Sequence, residues 1–355
     1  MSGVSTLEGE WVEPASRRRF SYRCWPPAAA ARALLVVIHG FGEHGGRYRP
    51  VAEALAGQGI WVGAMDPWGH GRSDGQRGDV GQVADYVRQL QGVTRDVFLP
   101  QSGCSSYVLF GHSFGGLLAI LWAMERPSAL RRVVLQSPLL EVGFPLPRWE
   151  TAAASFLATC WPTCAFSLRF DVDALSHDPA VTRAYREDPL VHHLMTARTY
   201  RSLLRARDEA MARTASIRAP VLLLLGGADR VISLDWARRW FDRLTCEKRC
   251  EVFPESYHEL HHEAVRDAAL RQLRDWTLAA LLLLFVAASP LHAATADGQE
   301  PTDWPAMITR LKQQAYNRPG HTRTRQQLAT AYNNYGVELT DQGQWALAAQ
   351  QFQEA

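Results

Sequence analysis

Cysteine is scarce in this chain. Six in 355 residues are too few to staple a scaffold of this length, and the expectation is reduced thiols in a cytoplasmic protein. Two C-x3-C pairs, Cys160/Cys164 and Cys246/Cys250, would have to converge to hold zinc, and their spacing is loose for that role. An excess of positive charge is missing too. The formal net charge is +2 and no basic stripe interleaves with aromatics, which excludes a nucleic-acid-binding surface. The opening stretch, MSGVSTLEGEWVEPASRRRF, has no apolar core and does not read as a secretory signal. The apolar run from Trp276 to Ala288 is short of the about 20 residues that cross a bilayer.

What is present is material for a sizeable core, with 47% hydrophobic and 21% charged residues. Short apolar runs recur at 33–40, 60–66, 106–113, 131–138, 219–229 and 250–256. Most are continuously hydrophobic rather than alternating, as strands buried on both faces of a parallel sheet are. Helical spacing falls between them, at about 48–57, 82–98, 114–126 and 234–244. The alternation predicts an α/β fold with a mostly parallel, doubly wound sheet. Residues 139–217 interrupt the rhythm with helical text and prolines, and are expected to form a cap over the ends of the strands.

Ser113 stands between a strand-like run and a helix-like one, in Gly111-His112-Ser113-Phe114-Gly115. This is the G-x-S-x-G pattern of a nucleophile elbow, whose small neighbours permit a sharp turn that lifts the hydroxyl above the sheet. A serine needs a base, and the base needs an orienting acid. In this fold the order is Ser, acid, His. Asp229 ends the run LLLLGGAD and His258 follows the last strand in FPESYHELHHE, so both fall in order. His261 and His262 lie further on and are expected to be solvated or capping; His192 and His193 are expected on the surface of the cap. Oxyanion donors are expected from the backbone N–H of Phe114, after the nucleophile, and of Phe41, in His39-Gly40-Phe41-Gly42.

The stretches HGFGEHGGRY, DPWGHGRSDG, GHSFGG, GGADRVI and SYHELHHE together resemble the monoacylglycerol lipase and lysophospholipase group of the α/β-hydrolase superfamily, over about residues 18–276. The resemblance implies Ser113 as nucleophile, Asp229 as acid, His258 as base and Phe41 and Phe114 at the oxyanion positions. It implies a lipid ester with one acyl chain as substrate, an acyl-enzyme, and no metal or organic cofactor. Phe41 stands where a small residue is common, and Asp66 belongs to a motif read as structural. The other readings are a small-ester esterase or thioesterase with the same residues, and an inert hydrolase fold that acts as a scaffold through its tail. The apolar cap stretch TAAASFLATCWPTCAFSL suggests a peripheral membrane contact.

The domain expectation is a hydrolase at 1–276, a signal-like segment and linker at 277–300, and a helical tail at 301–355. Pro290 and Ala294-Thr295-Ala296 follow the apolar run as they do near a cleavage site. In the tail, Gly336, Leu339, Gly343, Ala348, Phe352 and Ala355 stand at the offsets of one tetratricopeptide helix pair. The composition reads as a hydrolase joined to the opening of an unrelated secreted or envelope protein, with no protein partner of the tail identified.

Overall fold

Two strands that the hydrophobic runs do not announce, β1 (Leu7–Val12) at the edge and β2 (Arg19–Trp25) beside it, open the sheet. β1 is mostly exposed and buries only Trp11, whereas β2 buries Phe20 and its last three residues, Arg23, Cys24 and Trp25. The continuous runs become β3 (Ala33–Ile38), β4 (Ile60–Met65), β5 (Tyr107–His112), β6 (Leu130–Gln136), β9 (Val221–Gly226) and β10 (Lys248–Phe253). Every residue of β3, β4, β5 and β9 is buried, which is why these segments carry no polar alternation. The eight strands lie in the order β1-β2-β4-β3-β5-β6-β9-β10. The β1–β2 and β2–β4 pairs are antiparallel and the rest parallel.

Helices α1 (Arg49–Ala56), α2 (Val83–Val93), α3 (Leu99–Ser102), α4 (Phe114–Met124), α8 (Leu234–Asp242) and α9 (Arg266–Ala288) cover the sheet. Two apolar layers result. One holds Phe98, Phe114, Leu118, Trp122 and Trp240, and the other Trp25, Tyr48, Val51, Leu260 and Leu273. The expected cap contains α5 (Arg148–Cys160), α6 (Pro179–Glu187) and α7 (Ala197–Ala212). It also holds two strands absent from the sequence reading, β7 (Ala165–Ser167) and β8 (Leu194–Thr196), paired antiparallel. At three residues each they are too short to leave a periodic signal.

This computed structural model describes residues 4–144, 148–168, 171–288 and 303–317, and isolated positions from 327 to 351. The chain separates into two compact units, Met1–Leu281 and Leu282–Ala355. The apolar run from Trp276 continues α9, and among the described residues no helix is long and apolar enough to cross a membrane. Pro290 and Ala294–Ala296 lie outside the described residues, as do Gly336, Gly343, Ala348, Phe352 and Ala355 of the repeat-like pattern. In the second unit α10 (Trp304–Asn317) packs Ile308 and Leu311 with Ala331 and Tyr332, and Leu339 is helical and buried. All six cysteines are free thiols.

Candidate active site

The strand order turns back on itself between β3 and β5, because β4 lies beyond β3 and β6 beyond β5. A crevice opens at the carboxyl ends of two such strands, where the chain leaves them in opposite directions. The segment after β3 brings Gly40 and Phe41 to this switch point, and the turn after β5 brings Ser113.

Ser113 has φ 53° and ψ −118°, a conformation an L-residue adopts only under constraint, at about 1–3 kcal/mol. The constraint is visible. The Ser113 N–H donates to the Gln136 carbonyl at 3.0 Å, and the Ser113 carbonyl accepts from Leu139 N–H at 2.9 Å and Gly116 N–H at 2.9 Å. A Cβ on Gly115 would strike the backbone carbonyls of Ile38 and His39, so glycine is what lets α4 start this close to β3. The Phe114 N–H opens α4 and has no partner in the helical ladder. The facing segment sits against the nucleophile: a Cβ on Gly40 would lie 3.5 Å from that of Ser113. The Phe41 N–H is used by no hydrogen bond among the described residues. Its ring packs edge-on against Phe114 (5.5 Å between centroids), His70 (5.3 Å) and His192 (5.9 Å).

Asp229 and His258, 29 positions apart, meet at 2.7 Å between Oδ2 and Nδ1. Asp229 Oδ1 accepts from the N–H groups of Val231 (2.8 Å) and Ile232 (3.2 Å), which fixes the carboxylate plane. Burial alone would push the Asp229 carboxyl up, but the charge of His258 and these hydrogen bonds outweigh it and hold it below its ordinary value. Burial would push His258 down; the Asp229 carboxylate overrides it, with Glu259 and Glu43 adding, and the imidazole is raised. The His258 ring lies 4.7 Å from that of His112, the residue before the nucleophile. No hydrogen bond among the described residues joins the Ser113 hydroxyl to His258, a link that in hydrolase sites often tightens only with substrate bound.

Several side chains at this site are not where the sequence reading put them. His261 is buried, not solvated, and stacks on Tyr48 at 5.0 Å. Gln136 Nε2 lies 3.0 Å from His112 Nδ1 and 2.7 Å from His261 Nδ1, so its two N–H groups serve both rings and leave the ring protons on Nε2. Burial, with the charge of His258, lowers His112 to about 4. His192 is not on the cap's outer surface: its N–H donates to the Gly42 carbonyl at 2.8 Å and its ring walls Phe41. His262 is half-buried and His193 partly so. The structural reading of Asp66 stands in the geometry, where it accepts from Gly45 N–H (2.8 Å), Arg72 N–H (3.0 Å) and Arg23 Nη1 (3.2 Å).

The sequence reading missed a buried charge cluster beneath the base. Arg47 donates to both oxygens of Glu259 at 2.8 Å each, and also to Glu43. Glu43 accepts from Gly40 N–H at 2.5 Å and Tyr48 OH at 2.8 Å. Both carboxyls would rise on burial alone and are held low by the guanidinium. The signals were in plain view, in HGFGEHGGRY and in the residue directly after His258. Glu259, His261 and His262 also bring potential metal-ligand atoms within 4.8 Å of one another. Arg47 already occupies both Glu259 oxygens, so a cation is supplied by the chain itself.

A serine on a strained strand-to-helix turn, with a buried Asp–His pair following in that chain order, defines an α/β hydrolase. The model of the family described as serine aminopeptidase, S33, matches residues 29–265, and the chain belongs to that family. It is 31% identical over 270 residues to a monoacylglycerol lipase of Mycolicibacterium smegmatis, covering 74% of this chain and 94% of that one. It is 30% identical over 259 residues to the human monoglyceride lipase, covering 72% of this chain and 85% of that one. The crystal structure of a Paleococcus ferrophilus monoacylglycerol lipase superposes with a TM-score of 0.66 at 30% identity, covering 78% of this chain and 99% of that one. The chain is a hydrolase with the α/β-hydrolase fold.

Proposed function

We propose that this protein cleaves the ester bond of monoacylglycerols through an acyl-enzyme on Ser113. The observation that carries the reading is the constrained Ser113 turn beside the buried Asp229–His258 pair, in a chain similar to monoacylglycerol lipases. In this mechanism His258 Nε2 takes the Ser113 proton as Oγ attacks the ester carbonyl carbon. The N–H groups of Phe41 and Phe114 hold the oxyanion. The carbon–oxygen bond to glycerol breaks, and glycerol departs with the proton from His258. Water, deprotonated by His258, then attacks the acyl carbon; the bond to Ser113 Oγ breaks, His258 returns the proton to Oγ, and the fatty acid leaves. Asp229 holds the tautomer in which Nε2 accepts the serine proton.

The charge near the base favours a neutral head group over a phosphate. With His258 neutral, as the reaction requires, Asp229, Glu43 and Glu259 are held ionised against the guanidinium of Arg47. A lysophospholipid phosphate would add an anion to that excess. Neither Glu43 nor Glu259 is left over to bind a peptide's amino terminus, since Arg47 engages both. Turnover of monooleoylglycerol, lysophosphatidate and short-chain esters tests the reading. The expected ranking of kcat/KM places monooleoylglycerol first, and a preference for the phosphate-bearing lipid contradicts it.

We place the catalytic unit within 1–276, capped by 139–217, and assign the segment 277–300 and the tail 301–355 no part in hydrolysis. We also propose that the cap meets lipid at its periphery through Phe156 and Trp161, large apolar side chains that are 69% and 62% exposed.

A further inference from the structure

The two halves of the reaction apparatus come from distant parts of the chain, and one guanidinium joins them. On one side Arg47 donates to Glu43, whose carboxylate accepts from Gly40 N–H, one residue before the oxyanion donor Phe41. On the other it forks onto Glu259, the residue after His258, at 2.8 Å to each oxygen. The three side chains are nearly sealed, at 9%, 3% and 2% exposure. A planar fork on a carboxylate fixes both distance and angle, unlike a point charge.

The same cluster is held from above by the cap. The Tyr185 ring lies against the Arg47 guanidinium, 4.6 Å from its centroid. Glu259 N–H donates to the Leu175 carbonyl at 2.9 Å, and Ser176 Oγ donates to the His262 carbonyl at 2.8 Å. The loop that carries His258 is therefore gripped at Glu259 by both its side chain and its backbone.

We propose that Glu259 is a positioning residue for His258: through the Arg47 fork it sets the imidazole against the oxyanion segment, and its charge adds to that of Asp229 at the ring. The proposal rests on the reading of Ser113, Asp229 and His258 given above. The titratable and charged groups acting on His258 are Asp229 from the loop after β9, His112 from β5 and Glu43 from the loop after β3; Glu259 and His261 share its own loop, and Arg47, under the Tyr185 ring of the cap, ties Glu43 to Glu259. Removing one carboxylate from this set favours the neutral imidazole.

Glu259→Gln keeps the shape and deletes the charge, while Arg47→Lys keeps the charge and deletes the fork. With p-nitrophenyl butyrate, both are expected to lower kcat by about 10- to 100-fold with KM changed less than about threefold. The acid limb of kcat/KM is expected to move to lower pH in Glu259→Gln and to stay in place in Arg47→Lys. A merely structural Glu259 would lower the active fraction and leave the limb where it is. An unmoved limb in folded Glu259→Gln, whatever its kcat, overturns the proposal. If that variant does not fold, parental kcat in Arg47→Lys overturns it instead. Parental turnover that is insensitive to Ser113→Ala would mark failure of the underlying site reading, a distinct outcome.

Discussion

Asp229 spends its two oxygens on different tasks: Oδ2 lies 2.7 Å from His258 Nδ1, and Oδ1 accepts the backbone N–H groups of Val231 and Ile232. The carboxylate is thus aimed before the imidazole arrives. An amide at this position keeps the volume but can present N–H to Nδ1 and select the wrong tautomer. Asp229→Asn is expected to lower kcat by about 10^4-fold while circular dichroism remains parental. A loss under about tenfold would show that the pair does not work as acid and base.

The raised His258 sets the sign of the pH dependence. The imidazole must be neutral to accept the Ser113 proton, so kcat/KM is expected to fall as pH drops through its raised value, above the ordinary 6.5. Initial rates on a neutral ester between pH 5 and 9 check this. An acid limb well below 6.5 would contradict the geometry that raises it.

Stability depends on acid in the opposite sense for the histidines kept neutral. His112 and His192 fall to about 4 in the folded chain, burial being the first cause, while the unfolded chain protonates near 6.5. Folded residues with depressed values bind fewer protons, so their contribution is present above 6.5 and lost as pH falls towards 4. Raised His258 acts the other way, contributing below 6.5 and losing that contribution as pH rises through its folded value. Because the lowered histidines outnumber it, Tm is expected to fall between pH 6.5 and 4. A Tm that is flat or rising towards acid contradicts this.

Phe156 and Trp161 give the cap its apolar outer face. Phe156→Ser with Trp161→Ser is expected to weaken flotation with phosphatidylcholine vesicles and to leave turnover of a soluble ester within about twofold. Unchanged flotation would remove the lipid contact.

How much was legible beforehand depended on whether one residue's neighbours in sequence were also its neighbours in space. The buried strands and the Ser113 turn announce themselves locally, through unbroken apolar runs and closely spaced glycines. Asp229 and His258 could be named as candidates because each lies in the loop after a strand, in the expected order after Ser113. His261 was misread because its surroundings, Tyr48 and Gln136, come from remote segments, so no local pattern signals its burial. The Arg47–Glu259 fork spans 212 positions, and a charged residue next to a histidine reads as solvated until the fold buries it. β1 escaped because an edge strand that buries only Trp11 carries few apolar residues, and β2 because Arg19, Ser21 and Arg23 interrupt its apolar run.

In the proposed reaction Ser113 Oγ is the atom that takes the acyl group. The most direct measurement is intact and peptide mass spectrometry after exposure to a fluorophosphonate. The predicted result is one adduct on the peptide containing Ser113, absent in Ser113→Ala and slowed by about 10^3-fold or more in His258→Ala. An adduct on another residue, or full esterase turnover in Ser113→Ala, would contradict it.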